Sequence, residues 1–123
     1  DCGNVINPMI VEGQIVGGIV QGVGQALYEH GVYDDDGQLV SGSMLDYTMP
    51  RADNFPMIDS DRIETPSPSN SLGVKGVGEM GSITSPPAVV NAVVDALSDY
   101  DVKHIDMPLT SEKIWNIIQA NGG

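Results

Sequence analysis

Residues 75–81 read Lys75-Gly-Val-Gly-Glu-Met-Gly81, KGVGEMG, with glycines at 76, 78 and 81 in GxGxxG spacing. That is the spacing of a dinucleotide-binding turn, in which glycines let the backbone approach a pyrophosphate. The turn needs a buried strand directly before its first glycine and a helix opening at its last. Here SPSNSLGVK precedes Gly76 and reads as loop, and the next helix is expected only after Pro86 and Pro87. Glu79 would also repel a phosphate. The dinucleotide reading therefore fails on context, and so does QGVGQAL at 21–27, which lies inside a helical pattern. The opposite reading is an acid displayed on a glycine loop. A carboxylate desolvated there can act as a general base, whereas a solvated one is a surface acid on a turn. Spacing alone leaves both open.

Around the loop, local signals predict an α+β order. Asn7 can cap a helix that Pro8 opens, since proline at the first helical position loses no hydrogen bond. Ile15, Ile19, Val23 and Leu27 then recur four apart, and Val16, Val20 and Ala26 widen the stripe. Gly13, Gly17, Gly18, Gly22 and Gly24 interrupt it, each costing a helix interior roughly 1 kcal/mol relative to Ala. So many glycines predict a buried, closely packed helix that another backbone or a ligand approaches. Asp36-Gly37 predicts a hairpin between a strand at Val32-Tyr33 and another from Leu39. The acids Asp34, Asp35 and Asp36 lack the spacing of a calcium loop and read as a solvated turn. MIDSDRIE at 57–64 reads as a half-exposed strand and VKHIDMP at 102–108 as a short one. Pro86 and Pro87 are expected to open a helix whose Val89, Val93, Ala96 and Leu97 face one side. Thr110 caps a last helix carrying Ile114, Trp115, Ile117 and Ile118. The 23 residues from 65 to 87 hold four prolines and four glycines without periodicity. An unstructured stretch of that length in a domain is usually functional.

Composition narrows the function. The chain has 123 residues, the size of one domain. Seventeen acids against five bases give a formal charge of −12, which argues against nucleic acid and anionic membranes as partners. Residues 9–27 are apolar, but Glu12, Gln14, Gln21 and Gln25 interrupt them, so membrane insertion is not expected. A lone cysteine, Cys2, excludes an internal disulfide, reads as a small apolar residue in a terminal strand, and fits a reducing, cytoplasmic compartment. His30 and His104 have no metal-like spacing to each other or to Cys2, and no metal ligands are expected.

Three stretches in order, DCGNVINPMIVEGQIVGGIVQGVGQALYE, LDYTMPRA and SLGVKGVGEMGSITSPPAVVNAVVDAL with HIDMPLTSEKIW, cover nearly the whole chain. Together they resemble the C-terminal part of the molybdenum-binding large subunits of the xanthine dehydrogenase, aldehyde oxidase and aerobic carbon monoxide dehydrogenase family. The phrasing is nearest to the carbon monoxide dehydrogenase-like members. The resemblance implies that residues 1–123 are the C-terminal portion of a molybdopterin-binding domain and supply one wall of a molybdenum-molybdopterin cofactor site. Glu79 matches the catalytic glutamate, the general base beside the metal. Gln14, in EGQ, matches a glutamine that contacts the cofactor, and Lys75, Gly76, Val77 and Gly78 match the loop lying along it. Lys75 could instead pair with a nearby acid. Implied partners are the remainder of the large subunit, iron–sulfur and flavin (FAD) subunits or domains that carry electrons away, and a small-molecule substrate. The substrate class stays open among carbon monoxide, aldehydes, purines and N-heterocycles. The alternative from another class is a non-catalytic remnant that packs against or helps assemble a partner subunit.

Overall fold

The structure is a computed structural model and describes residues 1–122. Three helices carry it: α1 (Pro8–Leu27), α2 (Met80–Ala96) and α3 (Ser111–Ala120). Two short 3-10 turns lie at Ala52–Asn54 and Ser98–Tyr100. Among the described residues there is no sheet, only isolated bridges between Gly3 and Val74 and between Tyr33 and Leu39. The expected mixed strands are therefore corrected to a helical architecture. The hairpin turn does form: Asp34 and Gln38 pair through their backbones and Gly37 takes φ +78°. Its arms stop at a single bridge because residues 30–40 are mostly exposed and have no packed face to extend against. The segments 57–64 and 102–108 find no strand partner and run as irregular chain. Cys2 is buried beside the bridge at Gly3 rather than in a strand.

Helix α1 begins where the sequence indicates. Asn7 sits in extended backbone and its side chain accepts from the Ile10 N–H at 3.2 Å, with Pro8 at the first position. It is not buried throughout, however. Val11, Gly22, Gly24 and Ala26 are buried, while Glu12, Gly13, Gln14, Gly17 and Gln21 are exposed. The glycines thus divide into two sets, one pressed against protein and one facing open space.

Helix α2 begins seven residues before Pro87, at Met80, and runs through both prolines. The expected start at Ser85 is corrected accordingly. A helix-interior proline removes an amide donor and costs about 3 kcal/mol in an isolated helix. Tertiary packing outweighs it here: Ser85 and Pro86 are buried against α1, where a Cβ on Gly22 would lie 2.7 Å from Pro86 Cδ. Ser85 Oγ donates to the Gly81 carbonyl at 2.7 Å, so its buried hydroxyl is satisfied. Of the expected face, Val93 and Leu97 reach the core and are joined by Val90 and Val94, whereas Val89 and Ala96 do not pack against it.

That core is centred on Leu97, Ile105 and Leu109. Leu27 from the end of α1 and Ile114, Ile117 and Ile118 from α3 close around it. The Leu109 N–H donates to the Ala26 carbonyl at 2.7 Å, tying α1 to the entry of α3. Thr110 caps α3 by accepting from the Lys113 N–H at 3.3 Å, as its sequence position predicts. Trp115 lies outside the core and is exposed.

Candidate functional site at the glutamate loop

The loop 75–79 leaves an isolated bridge and ends at the first residue of α2. Lys75 N–H donates to the Cys2 carbonyl at 2.7 Å, and Asn4 N–H to the Gly73 carbonyl at 3.0 Å. These bonds fix the start of the loop on the N-terminal segment. At the other end, Glu79 occupies the N-cap position of α2 with φ −108° and ψ −7°. Its backbone carbonyl accepts from Ile83 N–H at 3.0 Å and Ser82 Oγ at 3.1 Å. Its carboxylate makes no capping bond, so the acid stays available at a helix N-terminus. Glu79 is exposed on this chain, and the desolvation expected for a buried base is not supplied by these residues.

The helix opening next to Gly81 means that this half of the dinucleotide context is present after all. The other half is missing, since Val74 makes one bridge to Gly3 and no strand precedes Gly76 among the described residues. The two absences that matter for a phosphate turn, a strand and a neutral approach, both stand.

A groove of about 270 Å³ runs beside the loop, lined by Gly13, Gln14, Gly17 and Gln21 on α1 and by Gly78 and Ser82 opposite. A Cβ added at Gly13, Gly17 or Gly76 would meet no protein atom within 4 Å. One added at Gly78 would meet only Gln14 Oε1, at 3.9 Å. No contact within the chain thus requires these positions to be glycine, and helix propensity opposes two of them. Gly13, Gly17 and Gly78 share the wall of the groove, where Gln14, Gln21 and Ser82 are its polar groups.

The sequence-derived residues separate accordingly. Gln14 and Gly78 are brought together in the groove, one residue before Glu79. Lys75 points elsewhere: its Nζ pairs with Asp1 Oδ2 at 2.7 Å, the acid partner that its sequence position left open. Gly76 and Val77 lie on the loop between these two anchors. Gln21 and Ser82 were not singled out by sequence reasoning. Gln21 carried a signal, since it lies seven residues after Gln14 and so on the same helical face. His104 pairs with Asp106 at 2.9 Å on the surface, and that bond holds the Asp106 carboxyl below its ordinary range. Among the described residues no three His, Cys, Asp or Glu side chains form a metal-holding group, and no helix is long and apolar enough to cross a membrane.

Residues 1–56 match the family model described as a molybdopterin cofactor-binding domain. The nicotine 6-hydroxylase large subunit of Paenarthrobacter nicotinovorans is 51% identical over 114 residues, 93% of this chain and 14% of that one. The chain belongs to the molybdenum-binding large-subunit family. Another relative, the carbon monoxide dehydrogenase large chain of Hydrogenophaga pseudoflava, is 41% identical over 98% of this chain and 15% of its own length. The backbone agrees with this family as well. The crystal structure of quinoline 2-oxidoreductase from Pseudomonas putida 86 superposes with a TM-score of 0.92 at 50% identity, over 97% of this chain and 15% of that one. The chain therefore spans about a seventh of the length of these large subunits.

The groove suits such a family. Its open glycines form a cradle that added Cβ atoms would fill, and Gln14, Gln21 and Ser82 offer neutral donors and acceptors for an organic cofactor. The fit lies with the organic part of the group, because these residues present no ligand set for a metal of their own.

Proposed function

We propose that residues 1–123 are the C-terminal portion of a molybdenum hydroxylase large subunit and supply one wall of its cofactor site together with the general base. The carrying observation is the set of glycines at 13, 17, 76 and 78 that no contact within the chain explains, placed beside a free carboxylate. When bound, a molybdenum-pterin cofactor supplies the two-electron redox chemistry of hydroxylation. Gln14 and the loop Lys75, Gly76, Val77 and Gly78 lie along that group, with Gln14 hydrogen-bonding and the glycines admitting close approach. Glu79 accepts a proton at its carboxylate from the oxygen nucleophile. The remainder of the large subunit covers Glu79 and excludes water, which the exposed setting on this chain requires. Iron–sulfur and flavin subunits receive the electrons, and the substrate is a small molecule.

A second reading, a non-catalytic part that packs against a partner, draws support from a different observation. Met44, Leu45 and Met57 are 73%, 93% and 95% exposed, far more than isolated solvent-facing side chains of an independent domain need be. The two readings separate at the groove. A Cβ at Gly17 meets no protein atom within 4 Å, so with Gly17→Leu a cofactor wall loses molybdenum and pterin content while the subunit still assembles. A packing role with no cofactor leaves that content at the wild-type level.

A further inference from the structure

The loop that carries Glu79 has no regular structure between Lys75 and Gly78, and Gly76 and Gly78 give it no packing of their own. What limits its motion is therefore found at its ends. The α2 end is fixed by the contact of Gly81 with α1. At the other end, the Asp1 carboxylate collects three donors from three parts of the chain. Its Oδ1 accepts from Gly3 N–H at 2.9 Å and Thr65 N–H at 3.0 Å, and its Oδ2 accepts from Lys75 Nζ at 2.7 Å. Both side chains of the ion pair are about two-thirds covered, at 35% and 33% exposure. An exposed pair of long side chains holds little, but here one partner is already fixed by two backbone donors, and only Lys75 has to be ordered.

We propose that Asp1 is a positioning residue: through Lys75 it sets the register of the loop that presents Glu79. The proposal rests on reading Glu79 as the base. Lys75 then serves the loop's geometry and does not contact cofactor through its ammonium. The two backbone donors make the role asymmetric. Exchanging the charges, Asp1→Lys with Lys75→Asp, removes the acceptor for Gly3 and Thr65 and does not restore the wild type.

The test is amide hydrogen exchange of residues 76–79 in the complete, assembled large subunit, with turnover measured on the same preparations. Asp1→Asn and Lys75→Met are each expected to speed exchange there about tenfold, and the double variant no more than either alone. Lys75→Arg, which keeps the charge and the donor to Asp1, is expected to leave exchange of residues 76–79 as slow as in wild type. Misaimed chemistry is expected to lower kcat by about 10- to 100-fold with KM and molybdenum content near wild type. Additive effects in the double variant, unchanged exchange in both singles, or faster exchange with normal kcat would each overturn the proposal. Lys75→Met leaves both backbone bonds of Asp1 in place, so it decides the matter even if Asp1→Asn fails to assemble. Exchange is read without turnover, so its result stands apart from the role of Glu79, which a substitution at Glu79 tests on its own.

Discussion

Gly18 and Gly81 meet backbone to backbone. A Cβ on Gly18 would lie 3.0 Å from Gly81 Cα, and one on Gly81 would lie 2.6 Å from both the Ile15 carbonyl oxygen and the Ile19 nitrogen. The crossing of α1 and α2 is thus set by two missing side chains, and Gly81 lies in the first turn of α2, two residues after Glu79.

The first expectation follows from that contrast within one helix. Gly18→Leu or Gly22→Leu inserts a side chain into a filled contact, which typically costs about 1–3 kcal/mol, more than the ~0.8 kcal/mol of helix propensity that Leu returns. Gly17→Ala lies in open space and is expected to hold or raise the melting temperature. The measurement is thermal melting and assembly yield of the complete subunit for all three variants. Equal melting for Gly17 and Gly18 variants would contradict the packing described.

The second concerns these 123 residues alone. They are expected to retain no molybdenum or pterin and to turn over no substrate. The groove is about 270 Å³ and open, whereas small-molecule sites usually enclose most of their ligand. Metal and pterin analysis of the purified chain checks this, and stoichiometric molybdenum would contradict it.

The third concerns the LDYTMPRA stretch. Tyr47 donates its phenolic proton to Glu29, and Pro50 packs where a Cβ on Gly24 would lie 2.7 Å from its Cγ, so the stretch clamps the end of α1. The bond to Glu29, then desolvation, raises the Tyr47 phenol above its ordinary value of 10.0. A proton held more tightly in the folded state stabilises it below the ordinary phenol value, and that contribution is lost as pH rises through the raised one. Phenolate absorbance of the folded protein should therefore show one late-titrating tyrosine, absent in Tyr47→Phe and titrating earlier in Glu29→Gln. A titration unchanged by both substitutions would contradict the clamp.

Much of this was readable from particular residues. Asn7-Pro8 and Thr110 mark helix starts because capping is local chemistry, and both operate as expected. The start of α2 was not readable. Ser85-Pro86-Pro87 carries a stronger local start signal than Met80 does, and the room for Pro86 comes from Gly22 across the helix pair, while Pro87 faces outward. The strands at 57–64 and 102–108 failed for a related reason: alternation describes a side-chain pattern, while a strand requires a partner that these segments do not find. In the site, Gln14 and the glycine loop entered through the family resemblance, and their cofactor role is a proposal, whereas Asp1 gave no signal at all. Its link to Lys75 spans 74 positions, and nothing local announces it.

The central claim is that KGVGEMG presents a catalytic base. Glu79→Gln in the complete enzyme keeps the size of the side chain and its place on the glycine loop but cannot accept the proton. Loss of general-base help typically lowers rate about 10²–10⁴-fold. The decisive measurement is kcat alongside molybdenum content for wild type and Glu79→Gln. A fall of that size with the metal complement near wild type is the expected result. Near-normal turnover at full molybdenum content would contradict the account and leave Glu79 as an acid on a surface turn.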